Sequence, residues 1–257
     1  MSPVRLDHQG PLAIVTIDNP PLNLFDHALV DALDDAIASV ASSDARALLI
    51  RAEGRAVSAG VDVTVFETLT PETAAALWRR WFEMIHALED LKMPTVFAAH
   101  ALCLTAAFEI SLACDLLLAA ESARFGLVEI VVGLTPSMGG PQRLAERAGP
   151  ARAREIVYTG ELFDAATLER WNVVNRVLPD DGFADAAEAF ASRLANGPTR
   201  AHAATKAIIR EQIEVGTGGA DEVTPRISGA LFATEDLRSA VASFLRDGPG
   251  KASYVGR

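Results

Sequence analysis

The apolar and polar positions of the chain form short strand-like runs that alternate with longer helical patterns. Four runs are apolar and rich in Val, Ile, Leu or Ala, as buried strands are, at residues 12–18, 46–52, 94–100 and 114–120. Between and after them, apolar residues recur at the spacing of one helix face over residues 29–41, 71–91 and 142–148. Strands that alternate with helices predict an α/β fold.

The end of the chain has a different pattern. Strand-like runs stop near Asn196, so we divide the chain into a core, residues 1–195, and a helical C-terminal region, residues 196–257. The second part has apolar residues at helical spacing: Leu231, Phe232, Leu237, Val241, Phe244 and Leu245. Two interpretations stay open, because such a face either covers a neighbouring subunit or packs on the chain's own core.

Composition and charge narrow the class of protein. The chain has 257 residues, 50% of them hydrophobic, and a net charge of −11, which argues against nucleic-acid binding. No basic start precedes an apolar segment, and no apolar run reaches the roughly 20 residues of a membrane span. We therefore expect a cytoplasmic protein without a membrane span. The sequence lacks H-E-x-x-H, paired C-x-x-C and G-x-G-x-x-G motifs, so neither a metal nor a redox cofactor is expected.

The first candidate for ligand binding or catalysis is the stretch Glu53–Phe66. It follows a strand-like run and is rich in small residues, which allow a ligand to approach the backbone closely. Its "AVSAG" resembles a nucleophile elbow around Ser58, but Ala56 stands where the first glycine belongs. A triad in the usual chain order would need an acid and then a histidine such as His202, which lies in a helical pattern. A serine hydrolase is therefore a minor alternative.

Two glutamates lie in apolar surroundings 20 residues apart, at Glu109 and Glu129. Glu109 falls about one turn into a helix that begins near Thr105, whose free N–H groups can stabilise a developing oxyanion. Either glutamate alone could be a solvated surface carboxylate. Together they form a candidate acid/base pair beside an oxyanion site.

Four motifs resemble, in order and spacing, the signatures of the enoyl-CoA hydratase/isomerase family, also called the crotonase family. They are "NPPLN" (19–23), "GRAVSAGVD" (54–62), "FEISLACDLLLA" (108–119) and "ARFGLVEIVVGLTPSMGGPQRL" (123–144). The resemblance implies a crotonase-like spiral of ββα units with a C-terminal helical region, assembled as a homotrimer or a dimer of trimers. It also implies an acyl-CoA thioester substrate, with CoA as part of the substrate and no separate cofactor.

The resemblance also assigns backbone roles. The two N–H groups of the oxyanion hole would belong to Val61 and Ala106, and the substrate would lie against Ala59, Gly60 and Asp62. Residues that line the acyl pocket are expected within 66–91.

The two glutamates match the pair that family hydratases use to add water across an α,β double bond. Glu129 would protonate the α-carbon, and Glu109 would orient and help deprotonate the water. Isomerases of the family typically keep only the second carboxylate, so the resemblance favours a hydratase-type lyase, in either direction. The alternatives are another family reaction (isomerisation, decarboxylation or thioester hydrolysis) and a catalytically silent subunit.

The chain departs from the family pattern near the oxyanion site. "HALCLTAA" stands where many members have "N-G-x-A-x-G-G-G", so Thr105 and Ala106 replace glycines. A positive φ at Ala106 would be strained, whereas an ordinary φ would leave its N–H in place and the methyl group would only narrow the pocket. We interpret His100 as a packed, hydrogen-bonded core residue and Cys103 as a core thiol rather than as catalytic groups.

Overall fold

The computed structural model describes residues 2–257, which form two sheets and a set of surrounding helices. The strands are β1 (Val4–Gln9), β2 (Leu12–Ile17), β3 (Ala47–Ala52), β4 (Ala56–Ser58), β5 (Thr95–Ala99), β6 (Leu102–Leu104), β7 (Leu116–Ala120), β8 (Arg124–Gly126), β9 (Phe163–Asp164) and β10 (Arg176–Leu178). The helices are α1 (His27–Ala41), α2 (Pro71–Glu89), α3 (Ala106–Ala113), α4 (Gly140–Thr159), α5 (Ala165–Arg170), α6 (Phe183–Ala195), α7 (Thr199–Val215), α8 (Thr217–Ala230) and α9 (Glu235–Asp247). Short 3-10 turns lie at Val63–Phe66, Glu129–Val132 and Leu231–Ala233.

The strands separate into a larger and a smaller sheet. The larger sheet has the order β1-β2-β3-β5-β7-β10, with β1 antiparallel to β2 and all other neighbours parallel. The smaller sheet has the order β4-β6-β8-β9, in which β4, β6 and β8 are parallel and β9 is antiparallel to β8.

The chain winds as a spiral through both sheets. Three times in succession it places one strand in the larger sheet and the next in the smaller: β3 and β4, β5 and β6, β7 and β8. A helix follows each pair, respectively α2, α3 and α4. Each pass is a ββα unit, so the predicted α/β spiral with a C-terminal helical region is confirmed.

The longest predicted elements match the structure closely. The four predicted strands are β2, β3, β5 and β7, and the first two predicted helices are α1 and α2, all within two residues at each end. The third predicted helix ended at residue 148 but α4 continues beyond it. Its helical turns are interrupted at Gly149, where φ is 81° and ψ is 159°, and they resume at Pro150.

The core lies between the larger sheet and its helices. All six residues of β2 are buried, and a strand covered on both faces favours such a continuous apolar run. Helix α1 starts at the N-cap Asp26, whose carboxylate accepts a hydrogen bond from the N–H of Leu29. Its buried face packs against α2 and β1, while α6 packs across β3.

The last three helices leave an apolar face uncovered. Phe232, Val241, Phe244 and Leu245 are between 49% and 80% exposed, so these side chains do not pack on the chain's own core. The division into residues 1–195 and 196–257 stays a prediction. Within residues 2–257, every helix is too short or too polar to cross a bilayer.

Candidate active site

Three parallel strands of the smaller sheet end at one edge and lead into the candidate residues. Val61 follows β4, Ala106 follows β6, and Glu129 follows β8. In open α/β sheets, ligands bind at the carboxyl ends of parallel strands, because loops from distant parts of the chain meet there. The structure thus brings these three residues to the same edge.

The backbone at Val61 leaves its N–H pointing away from its neighbouring strand. The N–H of Phe25 donates to the carbonyl of Gly60 at 2.9 Å, and the N–H of Asp62 donates to the carbonyl of Phe25 at 2.8 Å. Val61 is the centre of this parallel bridge, so its own N–H points to the opposite side. No acceptor for it lies within residues 2–257. This donor is available to a ligand.

The N–H of Ala106 is available for a different reason. Ala106 is the first residue of α3, and the N–H groups of a helix's first turn have no partner within the helix. Its φ is negative, since the positive φ values outside glycine belong to Asn23, Thr105 and Asn172 among the described residues. The methyl group of Ala106 therefore brings no backbone strain.

Backbone strain falls instead on Thr105, one residue earlier. Its φ is 46° and its ψ is −118°, a conformation that a β-branched residue rarely adopts. Its Oγ1 is buried and has no hydrogen-bond partner within residues 2–257. A Cβ on Gly60 would lie 2.7 Å from this oxygen, so the absence of a side chain at Gly60 lets the two corners approach. Thr105 thus links the Val61 and Ala106 segments at a cost in stability.

We expect Thr105→Gly to stabilise the fold by about 1 kcal/mol. Relief of the backbone strain gains about 1 to 3 kcal/mol, and the greater freedom of glycine in the unfolded chain returns about 0.5 to 1 kcal/mol. Urea unfolding followed by circular dichroism measures the difference. Thr73→Gly, in the first turn of α2, is the contrasting control and should destabilise the protein, because its φ is ordinary and its hydroxyl accepts a capping hydrogen bond from the N–H of Thr70 at 2.8 Å. A less stable Thr105→Gly variant would contradict the strain.

The two glutamates lie on the elements that follow β6 and β8. Glu109, on α3, is 2% exposed, and its Oε1 accepts hydrogen bonds from the N–H groups of Met138 at 2.9 Å and Gly140 at 2.8 Å. Glu129 opens the 3-10 turn after β8, and its Oε2 is buried without a partner within residues 2–257. One carboxylate is therefore held firmly, while the other keeps a free oxygen.

Burial raises the pKa of both carboxyl groups. Desolvation raises the pKa of Glu109 to about 7, although the N–H groups of Gly140 and Met138 and the charge of Arg143 lower it. Desolvation and the nearby Glu109 charge raise the pKa of Glu129 to about 8. Near neutral pH the pair therefore retains a proton, and Glu129 is its main carrier.

These raised pKa values predict that the protein loses stability as pH rises. Both carboxyl groups have a pKa of 4.5 when unperturbed, so between that pH and about 8 the folded state binds more protons than the unfolded state. The free energy of unfolding then falls with pH, by about 2 kcal/mol or more between pH 5 and pH 8. Urea unfolding across this range should show the fall in wild type and a smaller one in Glu129→Gln. The exposed Glu121→Gln variant should keep the wild-type slope, and an equal slope in Glu129→Gln would contradict the assignment.

The residues predicted to touch substrate shape the corner after β4. The N–H of Ala59 donates to the carbonyl of Leu22 at 3.0 Å. The Asp62 carboxylate accepts from the N–H of Thr64 at 3.0 Å and from its hydroxyl at 2.7 Å, and these bonds lower the pKa of Asp62. Ala59, Gly60 and Asp62 thus hold the turn around Val61, and their contact with substrate stays a prediction.

The side chains considered as alternative catalytic groups, Ser58, His100 and Cys103, are hydrogen-bonded or buried. The buried Ser58 hydroxyl donates to the carbonyl of Asn23 at 2.6 Å and accepts from the N–H of Gly60 at 2.9 Å, so it braces the loop. His100 Nε2 lies 2.9 Å from the carbonyl oxygen of Gly54, in a partly exposed position rather than in the core. Cys103 is buried as predicted, and desolvation raises the pKa of its thiol, which disfavours the nucleophilic thiolate. These features disfavour serine or thiol chemistry.

Sequence reasoning missed the groups that hold Glu109. Gly139 and Gly140 come just before the helical pattern predicted at 142–148, but nothing in the sequence indicated that N–H groups of this corner would point at a carboxylate on α3. The ion pair between Arg143 and Glu89 was also missed, because its members lie 54 residues apart on different helices. The only signal in the sequence was the apolar setting of Glu109, which does not identify its partners.

Several aromatic side chains lie in the range predicted for the acyl pocket. Phe66 ends the 3-10 turn after Val61, and its ring makes an edge contact with Trp78 of α2 at 5.9 Å between centroids. Further along α2, the ring of Phe82 lies against Gly139, 3.3 Å from the position of a Cβ there. The lining role of residues 66–91 stays a prediction.

Comparison with known proteins finds a matching family model, curated relatives and solved structures. The family model described as enoyl-CoA hydratase/isomerase matches residues 7–251. A Mycobacterium bovis protein named "probable enoyl-CoA hydratase" is 30% identical over 94% of both chains, and the crotonyl-CoA hydratase of Syntrophomonas wolfei is 27% identical over 99% of this chain and 98% of its own. Among solved structures, enoyl-CoA hydratase subunit I from Geobacillus kaustophilus matches with a TM-score of 0.92 and 27% identity, over 99% of this chain and 98% of that one.

Proposed function

Because the chain belongs to the enoyl-CoA hydratase/isomerase family and is an enzyme of that family, we propose that it hydrates the α,β double bond of acyl-CoA thioesters, or catalyses the reverse dehydration. The observation that supports this reaction most strongly is the pair of carboxyl groups with raised pKa values at one strand edge, Glu109 and Glu129. CoA enters as part of the substrate, and the proposed reaction needs no separate cofactor.

The first step is the attack of water on the β-carbon. Glu109 in its ionised form accepts a proton from the water as the new C–O bond forms. The bonds from Met138 and Gly140 hold one of its oxygens, which favours the charged form and leaves Oε2 for the water. The π electrons of the double bond move toward the thioester and create an enolate.

In this proposal the N–H groups of Val61 and Ala106 stabilise that enolate. Both lack an acceptor within residues 2–257, and they lie on two corners that meet at Gly60 and Thr105. Such fixed donors cost no reorganisation when charge develops, and loss of one in a known enzyme slows the reaction about 100- to 1,000-fold.

The second step is protonation of the α-carbon by Glu129. Because it has the higher pKa of the pair, it carries the proton when Glu109 is ionised. The step forms the C–H bond, returns the enolate electrons to it, and leaves Glu129 ionised and Glu109 protonated. Proton exchange with solvent or between the two carboxyl groups restores the starting state.

We propose that the uncovered face of α9 packs against a second copy of the chain in a homotrimer or a dimer of trimers. Support comes from Phe244 and Leu245, which are 59% and 80% exposed and contiguous with exposed Val241. Apolar patches of this kind are typical of protein interfaces. Light scattering during size-exclusion chromatography measures the assembly, and a monomer at micromolar concentration would contradict it.

The deciding experiment measures loss of the conjugated enoyl-thioester absorbance when purified protein meets crotonyl-CoA, followed by identification of the product by mass spectrometry. A product heavier by one water supports hydration. Longer enoyl-CoAs test whether the acyl region accepts more carbons.

Other outcomes identify other reactions. Interconversion of 3-enoyl and 2-enoyl thioesters without added water would indicate isomerisation, release of free CoA would indicate hydrolysis, and loss of CO₂ from a carboxyacyl-CoA would indicate decarboxylation. Binding of enoyl-CoA without turnover at any chain length would indicate a silent subunit.

A further inference from the structure

The guanidinium of Arg143 is enclosed between α2 and the corner that holds Glu109. Arg143 is 8% exposed and forms a bidentate ion pair with Glu89 of α2, with Nε to Oε1 at 2.7 Å and Nη2 to Oε2 at 2.6 Å. Two parallel hydrogen bonds fix a guanidinium in orientation as well as in position. Arg143 is therefore held by its partner rather than free to sample rotamers.

The third edge of the guanidinium contacts the backbone of the corner itself. Nη1 donates to the carbonyl of Gly139 at 3.2 Å, and the main-chain N–H of Arg143 donates to the same oxygen at 3.2 Å. A Cβ on Gly139 would lie 1.8 Å from Nη1, so only glycine permits this approach. The Gly139 carbonyl is thus fixed from two directions.

The residues on either side of that carbonyl provide the donors to Glu109. The N–H groups of Met138 and Gly140 both donate to Glu109 Oε1, and a Cβ on Gly140 would lie 3.0 Å from that oxygen. A shift of the Gly139 peptide would misdirect both donors at once. The contacts form a continuous series from Glu89 through Arg143 and the 138–140 corner to the carboxylate.

We propose that Arg143, clamped by Glu89, is a positioning residue that aims the Met138 and Gly140 N–H groups at Glu109 and so fixes this carboxylate for attack of water. The role of Glu109 in water attack rests on the proposed function, whereas the control of its environment by Arg143 does not. Arg143 makes no hydrogen bond to Glu109 itself. It acts on this carboxylate through the backbone of residues 138–140 and through its positive charge.

Few charged groups face Glu109 from the elements packed around it. Glu129 faces it from the turn after β8, where the Glu109 charge adds to desolvation in raising the pKa of Glu129, and Arg143 faces it from α4. From α2, Glu89 is paired with Arg143, and His86 stacks near Phe82 at 5.6 Å between ring centroids. Arg143 is the one cation whose charge lowers the pKa of Glu109 among the described residues.

The test compares Arg143→Met and Arg143→Lys with wild type in kcat, KM and the pH profile of turnover. We expect Arg143→Met to lower kcat about 10- to 100-fold with KM changed less than about threefold, as outer contacts of catalytic groups typically do. The rise of turnover on the low-pH side of the profile, which reports ionisation of Glu109, should move to higher pH because the cation that lowers the pKa of Glu109 is gone. Arg143→Lys should recover part of the loss, because it restores a charge without the bidentate geometry.

A carboxyl-carbon NMR titration gives a readout that needs no turnover. With Glu109→Gln as the assignment variant, the Glu109 signal should titrate at higher pH in Arg143→Met than in wild type, by about one unit or more. If wild type is inactive but this shift appears, the proposed function fails and the positioning role stands. An unmoved signal together with wild-type kcat would overturn the positioning role.

Arg147 is the matched control, one turn further along α4. It is partly buried, and its guanidinium donates to the carbonyls of Leu112, Cys114 and Val173 rather than to the corner. Arg147→Met should lower stability and leave the Glu109 titration unchanged. If Arg143→Met fails to fold, Glu89→Gln loosens the clamp and keeps the charge; it should lower kcat by a smaller factor, and wild-type kcat in this variant would also reject the role.

Discussion

Replacement of Glu129 by glutamine is expected to lower kcat for enoyl-CoA hydration about 100- to 10,000-fold. The amide has the shape of the carboxyl group but cannot deliver a proton to the α-carbon at neutral pH. The wild-type group is suited to this delivery because burial and the Glu109 charge raise its pKa to about 8, so it is protonated when the water attacks. Turnover is followed by loss of enoyl-thioester absorbance.

Binding should survive this substitution. The proposed donors to the thioester are backbone N–H groups of Val61 and Ala106, which Glu129→Gln leaves in place. Isothermal titration with a saturated acyl-CoA should therefore give a similar affinity in both proteins, and the exposed Glu121→Gln variant should turn over like wild type. A kcat for Glu129→Gln within about threefold of wild type would refute the assigned role, since general acids contribute far more.

Glu109→Gln is expected to lower kcat for hydration by a similar factor, because it removes the base that accepts a proton from the attacking water. Glutamine can still accept the N–H groups of Met138 and Gly140, so the corner keeps its geometry while the base is lost. The substitution also removes the charge that helps raise the pKa of Glu129. In the pH profile of the residual turnover, the decline at high pH should therefore begin at a lower pH than in wild type.

The same variant separates hydration from isomerisation. Moving a double bond along the acyl chain requires one group that removes and returns a proton, whereas adding water requires a second group at the β-carbon. A Glu109→Gln protein that still converts 3-enoyl-CoA to 2-enoyl-CoA at the wild-type rate, with hydration lost, would separate the two roles. Hydration at the wild-type rate in this variant would contradict the role given to Glu109.

The sequence patterns predicted correctly the helices and strands that are long enough to show a hydrophobic periodicity. Strands β2, β3, β5 and β7 have five or six residues each, and α1 and α2 have 15 and 19, so their apolar spacing is unambiguous. Strands β4, β6 and β8 have three residues each, too few to show alternation. These short strands carry the candidate site, so its architecture was accessible only through the family resemblance.

The candidate site was predictable to the level of residue identity but not of contacts. Glu109 and Glu129 stood out as carboxylates in apolar segments, and the structure places them close enough for one charge to affect the other. The conformation of Thr105 was not predicted, because the sequence raised the question of a positive φ only at Ala106, one residue later, and left it open. The contact of Arg143 with the Gly139 corner depends on how α2 meets α4, which no local pattern encodes.

The alternation of strands between two sheets also determines when the site can form during folding. The edge that carries Val61, Ala106 and Glu129 needs β4, β6 and β8 in parallel register, and each parallel pairing requires a complete crossover through the larger sheet. Pairings between segments distant in sequence form slowly, since the chain must close long loops before the contacts stabilise it. In a refolding experiment, helical structure should therefore return before catalytic competence, and a nascent chain released before residue 129 would possess the backbone donors but lack the proton carrier.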